Sequence, residues 1–87
     1  MKPYKETKKD NVIRRTFSKD VPISELVWHR DKEDRIVKVL SETDWMIQFD
    51  NQVPQKLQKN QELHIKSGQW HRVIKGSGSL NVAIKEY

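Results

Sequence analysis

Residues 62–74 read ELHIKSGQWHRVI, and the spacing of their apolar groups decides what kind of chain this is. Leu63 and Ile65 alternate with Glu62 and His64; beyond Lys66-Ser67-Gly68, His71 and Val73 take one parity and Trp70, Arg72 and Ile74 the other. A repeat of two belongs to a strand, whose successive side chains project to opposite sides of a sheet, and not to a helix with its repeat of 3.6. The stretch is therefore two short strands joined by a turn.

Working outward, the same alternation marks NVIRRTF (11–17), SELVWHRD (24–31), RIVKVL (35–40), WMIQFD (45–50) and LNVAIKE (80–86). The segments between them, SKDVP, DKED, SETD, DNQVP and KGSGS, are rich in Asp, Asn, Ser, Gly and Pro, the residues that make turns. No amphipathic helix is apparent. Seven short strands at close spacing predict an all-β fold, a barrel or sandwich, in a single domain over residues 11–87.

Composition narrows the class further. A chain of 87 residues makes one domain at most, and one that gains from a partner subunit or a bound metal. The absence of cysteine excludes disulfides, thiolate ligands and a cysteine nucleophile, and fits the cytoplasm. No apolar run is long enough for a membrane span, about 18 residues, and none resembles a signal peptide. The formal charge of +5 is concentrated at the start, MKPYKETKKD, which shows no strand pattern. Residues 1–10 are expected to be a flexible, disordered basic tail.

Parity assigns faces. Val27, His29 and Asp31 share one side of their strand, and Leu26, Trp28 and Arg30 the other. Val37 and Val39 oppose Ile36, Lys38 and Leu40 in the next, so both faces of these strands carry apolar groups. One face lines a barrel; the other, with Leu26, Trp28, Ile36, Leu40, Trp70 and Ile74, calls for a second layer or a second subunit, hence an expected homodimer. Trp45, Ile47 and Phe49 fall on one parity and read as core, while His64 should lie at the surface with Glu62. Gln48 either reaches a ligand or faces solvent. KGSGS lacks the spacing of a phosphate-binding loop and no helix follows it, so it reads as a flexible turn.

The order of these elements, WHRDKEDRIVKVL, a hairpin, then LQKNQELHIKSGQWHRVIKGSG, resembles a small single-domain cupin over roughly residues 22–86. His29-Arg30-Asp31 stands where that family has His-x-His, and Asn60-Gln61, Gly68 and His71 follow its second motif. The resemblance implies a double-stranded β-helix (jelly roll). It also implies a metal site of His29, Asp31 and His71, two imidazoles and a carboxylate that would hold Fe, Mn, Ni or Zn and leave coordination positions open. The sequence departs from the family at Asp31, in the second histidine's place; at Arg35 and Ile36, where a glutamate is expected; at Lys66, in place of proline; and at Asn60, in place of glycine. Asn60 is a mild change, since asparagine tolerates the left-handed backbone a turn asks of glycine.

Three functions follow. The first is a metal-dependent cupin acting on a small molecule, with dioxygenase or isomerase chemistry. The second is a metal-free, non-catalytic cupin that binds a small sugar- or acid-like ligand; there His29 and His71 form hydrogen bonds inside the barrel and Asp31 only opens the DKED turn. The third, a basic β-barrel that binds nucleic acid, is disfavoured, because the aromatic residues do not interleave with Lys or Arg on one predicted face.

Overall fold

The computed structural model describes residues 3–87. Its strands are β1 (Lys5–Lys9), β2 (Val12–Phe17), β3 (Arg35–Val39), β4 (Met46–Phe49), β5 (Gln55–Lys56), β6 (Glu62–Ile65), β7 (His71–Ile74) and β8 (Leu80–Glu86). Every pairing is antiparallel, in a five-stranded sheet of order β1-β2-β8-β3-β6 and a three-stranded sheet of order β5-β4-β7. The two sheets close on a shared interior in the jelly-roll manner.

Register places the interior. Ile13 opposes Ile84, Ile84 opposes Val37, and Val37 opposes Leu63, so one row of aliphatic side chains crosses four neighbouring strands. Facing them, β4 and β7 contribute Ile47 opposite Val73 and Phe49 opposite His71. The best-buried side chains, Trp45, Leu80 and Val39, are at most 1% exposed. Trp45 also satisfies its one polar atom, its indole Nε1 donating to the Gly78 carbonyl at 2.7 Å. The predicted core parity of Trp45, Ile47 and Phe49 is thus realised, and His64 is exposed as expected.

Turns follow the expected chemistry. Asn51, Asn60 and Gly68 adopt φ of 61°, 70° and 78°, the left-handed region that asparagine and glycine enter most readily. The KGSGS turn, however, is pinned rather than loose: Asp44 accepts from the Ser77 backbone N–H at 2.9 Å and from the Ser77 hydroxyl at 2.7 Å. A Cβ on Gly76 would come within 2.8 Å of the Asp44 backbone, so this position has no room for a side chain.

Two expectations are corrected. Residues 5–9, assigned to a disordered tail over 1–10, form β1, paired with β2 from Lys5 opposite Thr16 to Lys9 opposite Val12; residues 1 and 2 lie outside the described residues. The hairpin closes through Asp10 and Asn11, both at positive φ (51° and 66°), which is the two-residue loop that matches strand twist. All five β1 residues are exposed, so no apolar alternation announced the strand, and its charges suit a sheet edge. What ties it down is Glu6, which accepts from Arg15 Nε at 2.6 Å directly across the ladder, and the Tyr4 ring against Phe17 at 5.3 Å.

The second correction concerns residues 24–31, which are not a strand. Pro22 leads into a 3₁₀ turn over Ile23–Glu25, and Leu26 then packs against the core instead of facing out. Only His29 keeps a ladder contact, as a single bridge to His71. The six apolar residues expected on one outer face are therefore dispersed. Leu26 is inside, Ile36 belongs to the five-stranded sheet, and Ile74 to the three-stranded one.

Candidate metal centre

The His29–His71 bridge is a reciprocal pair, each backbone N–H donating to the other's carbonyl at 3.0 and 2.9 Å. That pairing sets the two imidazoles side by side, their ring centroids 4.3 Å apart, with His71 buried and His29 exposed at the mouth of the barrel. Gly68 N–H donates to the Asp31 carbonyl at 2.8 Å, tying the β6–β7 turn to the segment that carries Asp31. The first-motif and second-motif segments thus meet backbone to backbone. One donor atom from each of His29, Asp31 and His71 lies within 4.8 Å of the others.

Hydrogen bonding sets the state of each donor. His29 Nδ1 lies 3.0 Å from the Val27 carbonyl and His71 Nδ1 lies 2.8 Å from the Gln69 carbonyl. A carbonyl only accepts, so both Nδ1 atoms carry hydrogen. In the neutral ring this leaves Nε2 with a free lone pair, the arrangement by which a second hydrogen bond orients a metal-binding histidine. Burial holds His71 below its usual pKa, the His29 ring reinforces the shift, and the Gln69 carbonyl opposes it. His71 is therefore a neutral ring near pH 7.

Asp31 completes the set and exposes its tension. Its Oδ1 pairs with Arg35 Nη1 at 3.2 Å, while Oδ2 lies 3.4 Å from His71 Nε2. Oδ2 is buried without a hydrogen-bond partner. With His71 neutral, its Nε2 lone pair and the carboxylate oxygen face each other without a bridging hydrogen. Buried polar atoms are seldom left this way, because the lost hydration costs about 1–3 kcal/mol. A dication coordinated by both would remove that cost, so the donor set fits a divalent metal.

Around these donors the barrel encloses a cavity of about 380 Å³, walled mainly by aliphatic side chains such as Val37, Val39, Leu63, Val73 and Ile84. Its volume suits a small organic molecule. Polar residues enter the wall at few places. Arg35 donates from Nε and Nη2 to Glu86 Oε2 at 2.9 and 2.6 Å, besides its pairing with Asp31. Arg15 lies over the Tyr4 ring at 4.2 Å.

All three residues expected to form the site are brought together. Arg35, Glu86 and Arg15 were missed as part of it. Parity gave the signal, for Arg35 shares a face with Val37 and Val39, and Arg15 with Ile13 and Phe17. Gln48 does not reach the cavity wall; it accepts from Arg72 at 3.0 Å and donates to the Gln52 carbonyl at 3.1 Å. Trp28 and Trp70 are 38% and 43% exposed, carrying Arg72 and Arg30 at 4.9 and 5.3 Å from their ring centroids. Aromatic and cationic side chains therefore do interleave on this face, against expectation. The indole faces are, however, already stacked by the chain's own guanidiniums.

No protein-family model matches the chain, and no curated protein matches it in sequence. Solved structures do match in shape. A cupin domain from Bordetella pertussis Tohama I superposes with a TM-score of 0.68 at 20% identity, covering 100% of this chain and 97% of that one. The FeII HppE structure in complex with substrate gives 0.69 at 11% identity, covering 97% of this chain and 52% of that one. The structure described as DMSP lyases RdDddP and RnDddQII gives 0.71 at 12% identity, covering 84% and 35%. The chain thus spans about half and about a third of the two enzyme structures, and nearly all of the single cupin domain. Its fold is cupin-like. Among the described residues no helix is long and apolar enough to cross a membrane.

Proposed function

We propose that the barrel binds a divalent transition metal through His29 Nε2, His71 Nε2 and Asp31 Oδ2, and uses it on a small, largely apolar molecule held in the cavity, in dioxygenase- or isomerase-type chemistry. The observation that carries this is the unpartnered Asp31 Oδ2 facing the His71 lone pair at 3.4 Å. The FeII in the HppE structure gives secondary support.

When bound, such a metal supplies Lewis acidity and open coordination positions for a substrate oxygen. Iron, manganese, nickel and zinc all suit two imidazoles and a carboxylate. The chain's own contributions are physical. The Val27 and Gln69 carbonyls hold both rings in the coordinating tautomer, and the aliphatic wall excludes bulk water and takes the apolar part of the substrate. Untagged protein reconstituted anaerobically with each of the four metals should retain stoichiometric metal, and His29→Ala, Asp31→Ala and His71→Ala should each lose it. Sub-stoichiometric metal in every wild-type sample would sink the assignment. It would leave the metal-free ligand-binding alternative, which the Asp31–Arg35 pairing at 3.2 Å favours.

Self-association is a second inference, resting on half-exposed Trp28 and Trp70 on the outer side of the three-stranded sheet. A homodimer packed there should sediment as such at micromolar concentration, and Trp28→Lys should shift it toward monomer. A wild type that sediments only as monomer excludes this surface.

A further inference from the structure

Arg35 is the most unexpected group at the site, because a guanidinium beside a dication is repulsive. Each of its three nitrogens nevertheless meets a carboxylate oxygen. Nη1 meets Asp31 Oδ1 at 3.2 Å, while Nε and Nη2 both meet Glu86 Oε2 at 2.9 and 2.6 Å. Glu86 sits directly opposite Arg35 in the β3–β8 ladder, so this pair is set by strand register. Asp31, by contrast, lies in irregular chain beyond the His29 bridge, where no strand dictates its rotamer. The Arg35 side chain is only 13% exposed and that of Asp31 only 11%, so water screens their contact little.

We propose that Arg35 is a positioning residue: anchored on β8 by Glu86, it grips Asp31 by Oδ1 and thereby presents Oδ2 to the metal alongside His71. Glu86 has a second duty, since its charge offsets the guanidinium that would otherwise repel the ion. Both roles rest on the metal site proposed above. The structure ties them to this chain in particular, because arginine stands here at the spacing where the family resemblance calls for a glutamate.

Electrostatics alone and positioning predict opposite signs. If Arg35 only repels the metal, removing its charge tightens binding. If it holds Asp31 in place, removal weakens binding, by about 10–100-fold as for other residues that orient metal ligands. The experiment is a cobalt(II) titration of untagged protein, followed by visible absorption and by competition with a chelator of known affinity. It compares wild type, Arg35→Met, Arg35→Lys, the charge-balanced double variant Arg35→Met/Glu86→Gln, and Asp31→Ala.

Arg35→Met and the double variant should bind cobalt at least about tenfold more weakly, with spectra that move toward that of Asp31→Ala. Arg35→Lys keeps the charge and loses the fork, so it should also weaken binding. The double variant removes the Glu86 charge together with the guanidinium, so the net charge around Asp31 is unchanged, and it keeps the test valid if Arg35→Met folds poorly. A double variant that binds cobalt as tightly as wild type, or more tightly, overturns the positioning role while leaving the metal site standing. A wild type that takes up no cobalt overturns both.

Discussion

The two ends of the β4–β7 pair are built on opposite terms. At one end Trp45 is wholly buried, its indole N–H bonded to Gly78, with Phe17 packed at 5.6 Å and Leu80 buried nearby. At the other, four residues along β4 and roughly 13 Å away at strand rise, Phe49 opposes His71. There three lone-pair donors crowd together and one carboxylate oxygen lacks a partner. The first end satisfies every group it buries, and the second leaves a deficit that a cation would fill. Stability and chemistry are thus separated along one barrel, in line with the general cost of functional sites.

Mutations can break this contrast. Trp45→Ala removes the largest buried side chain and should cost about 3–5 kcal/mol of unfolding free energy, read by chemical denaturation. The folded fraction should still take up metal. If metal uptake falls in proportion to stability, the two ends are not independent.

Asp31→Asn should do the reverse. The amide N–H can donate to the His71 Nε2 lone pair while the amide oxygen still accepts from Arg35. The metal-free protein should therefore gain about 0.5–1.5 kcal/mol and lose metal binding. A lower melting temperature for the metal-free variant would show that Asp31 and His71 are already reconciled without a metal.

Smaller effects sharpen the picture. Deleting residues 1–9 removes β1 and with it the Tyr4–Phe17 pair, worth about 0.5–1.5 kcal/mol. The fold should survive, with a melting temperature lower by about 4–8 °C for each kcal/mol lost; an unchanged value would mean that β1 adds nothing.

The smallest expected change is an acid-limb effect at Asp44. Hydrogen bonds from the Ser77 hydroxyl and backbone N–H lower its pKa. A depressed folded-state pKa contributes stability above the unfolded value and loses it as pH falls through the folded value. Asp44→Asn should therefore lower the melting temperature slightly at pH 7 and flatten its decline in acid; equal slopes in thermal melts down to low pH would rule this out.

Legibility in the sequence followed burial. Strands with one face in the core, β2, β3, β4, β6, β7 and β8, announced themselves by alternation, because water exclusion selects every second residue. The strand β1 has no buried face and β5 spans only Gln55–Lys56, so neither left a pattern to read. Residues 24–31 alternate as a strand does, yet Pro22 and the 3₁₀ turn after it rotate Leu26 inward; local backbone geometry overrode the alternation. His29, Asp31 and His71 were found because parity and the cupin resemblance coincided there. Arg35 and Glu86 share the parity of the core row but are charged, and only register shows that they neutralise each other across the ladder.

The placement of the indoles has an optical consequence. Trp28 adjoins His29 and Trp70 adjoins His71, both half-exposed under guanidiniums, whereas Trp45 is sealed at the far end of its strand. The chain therefore carries two fluorophores flanking the candidate ligands and a third as an internal reference. A paramagnetic ion at the site should quench the red-shifted, solvent-touched emission of the first two and spare the blue emission of Trp45, giving a label-free reading of occupancy from the native protein.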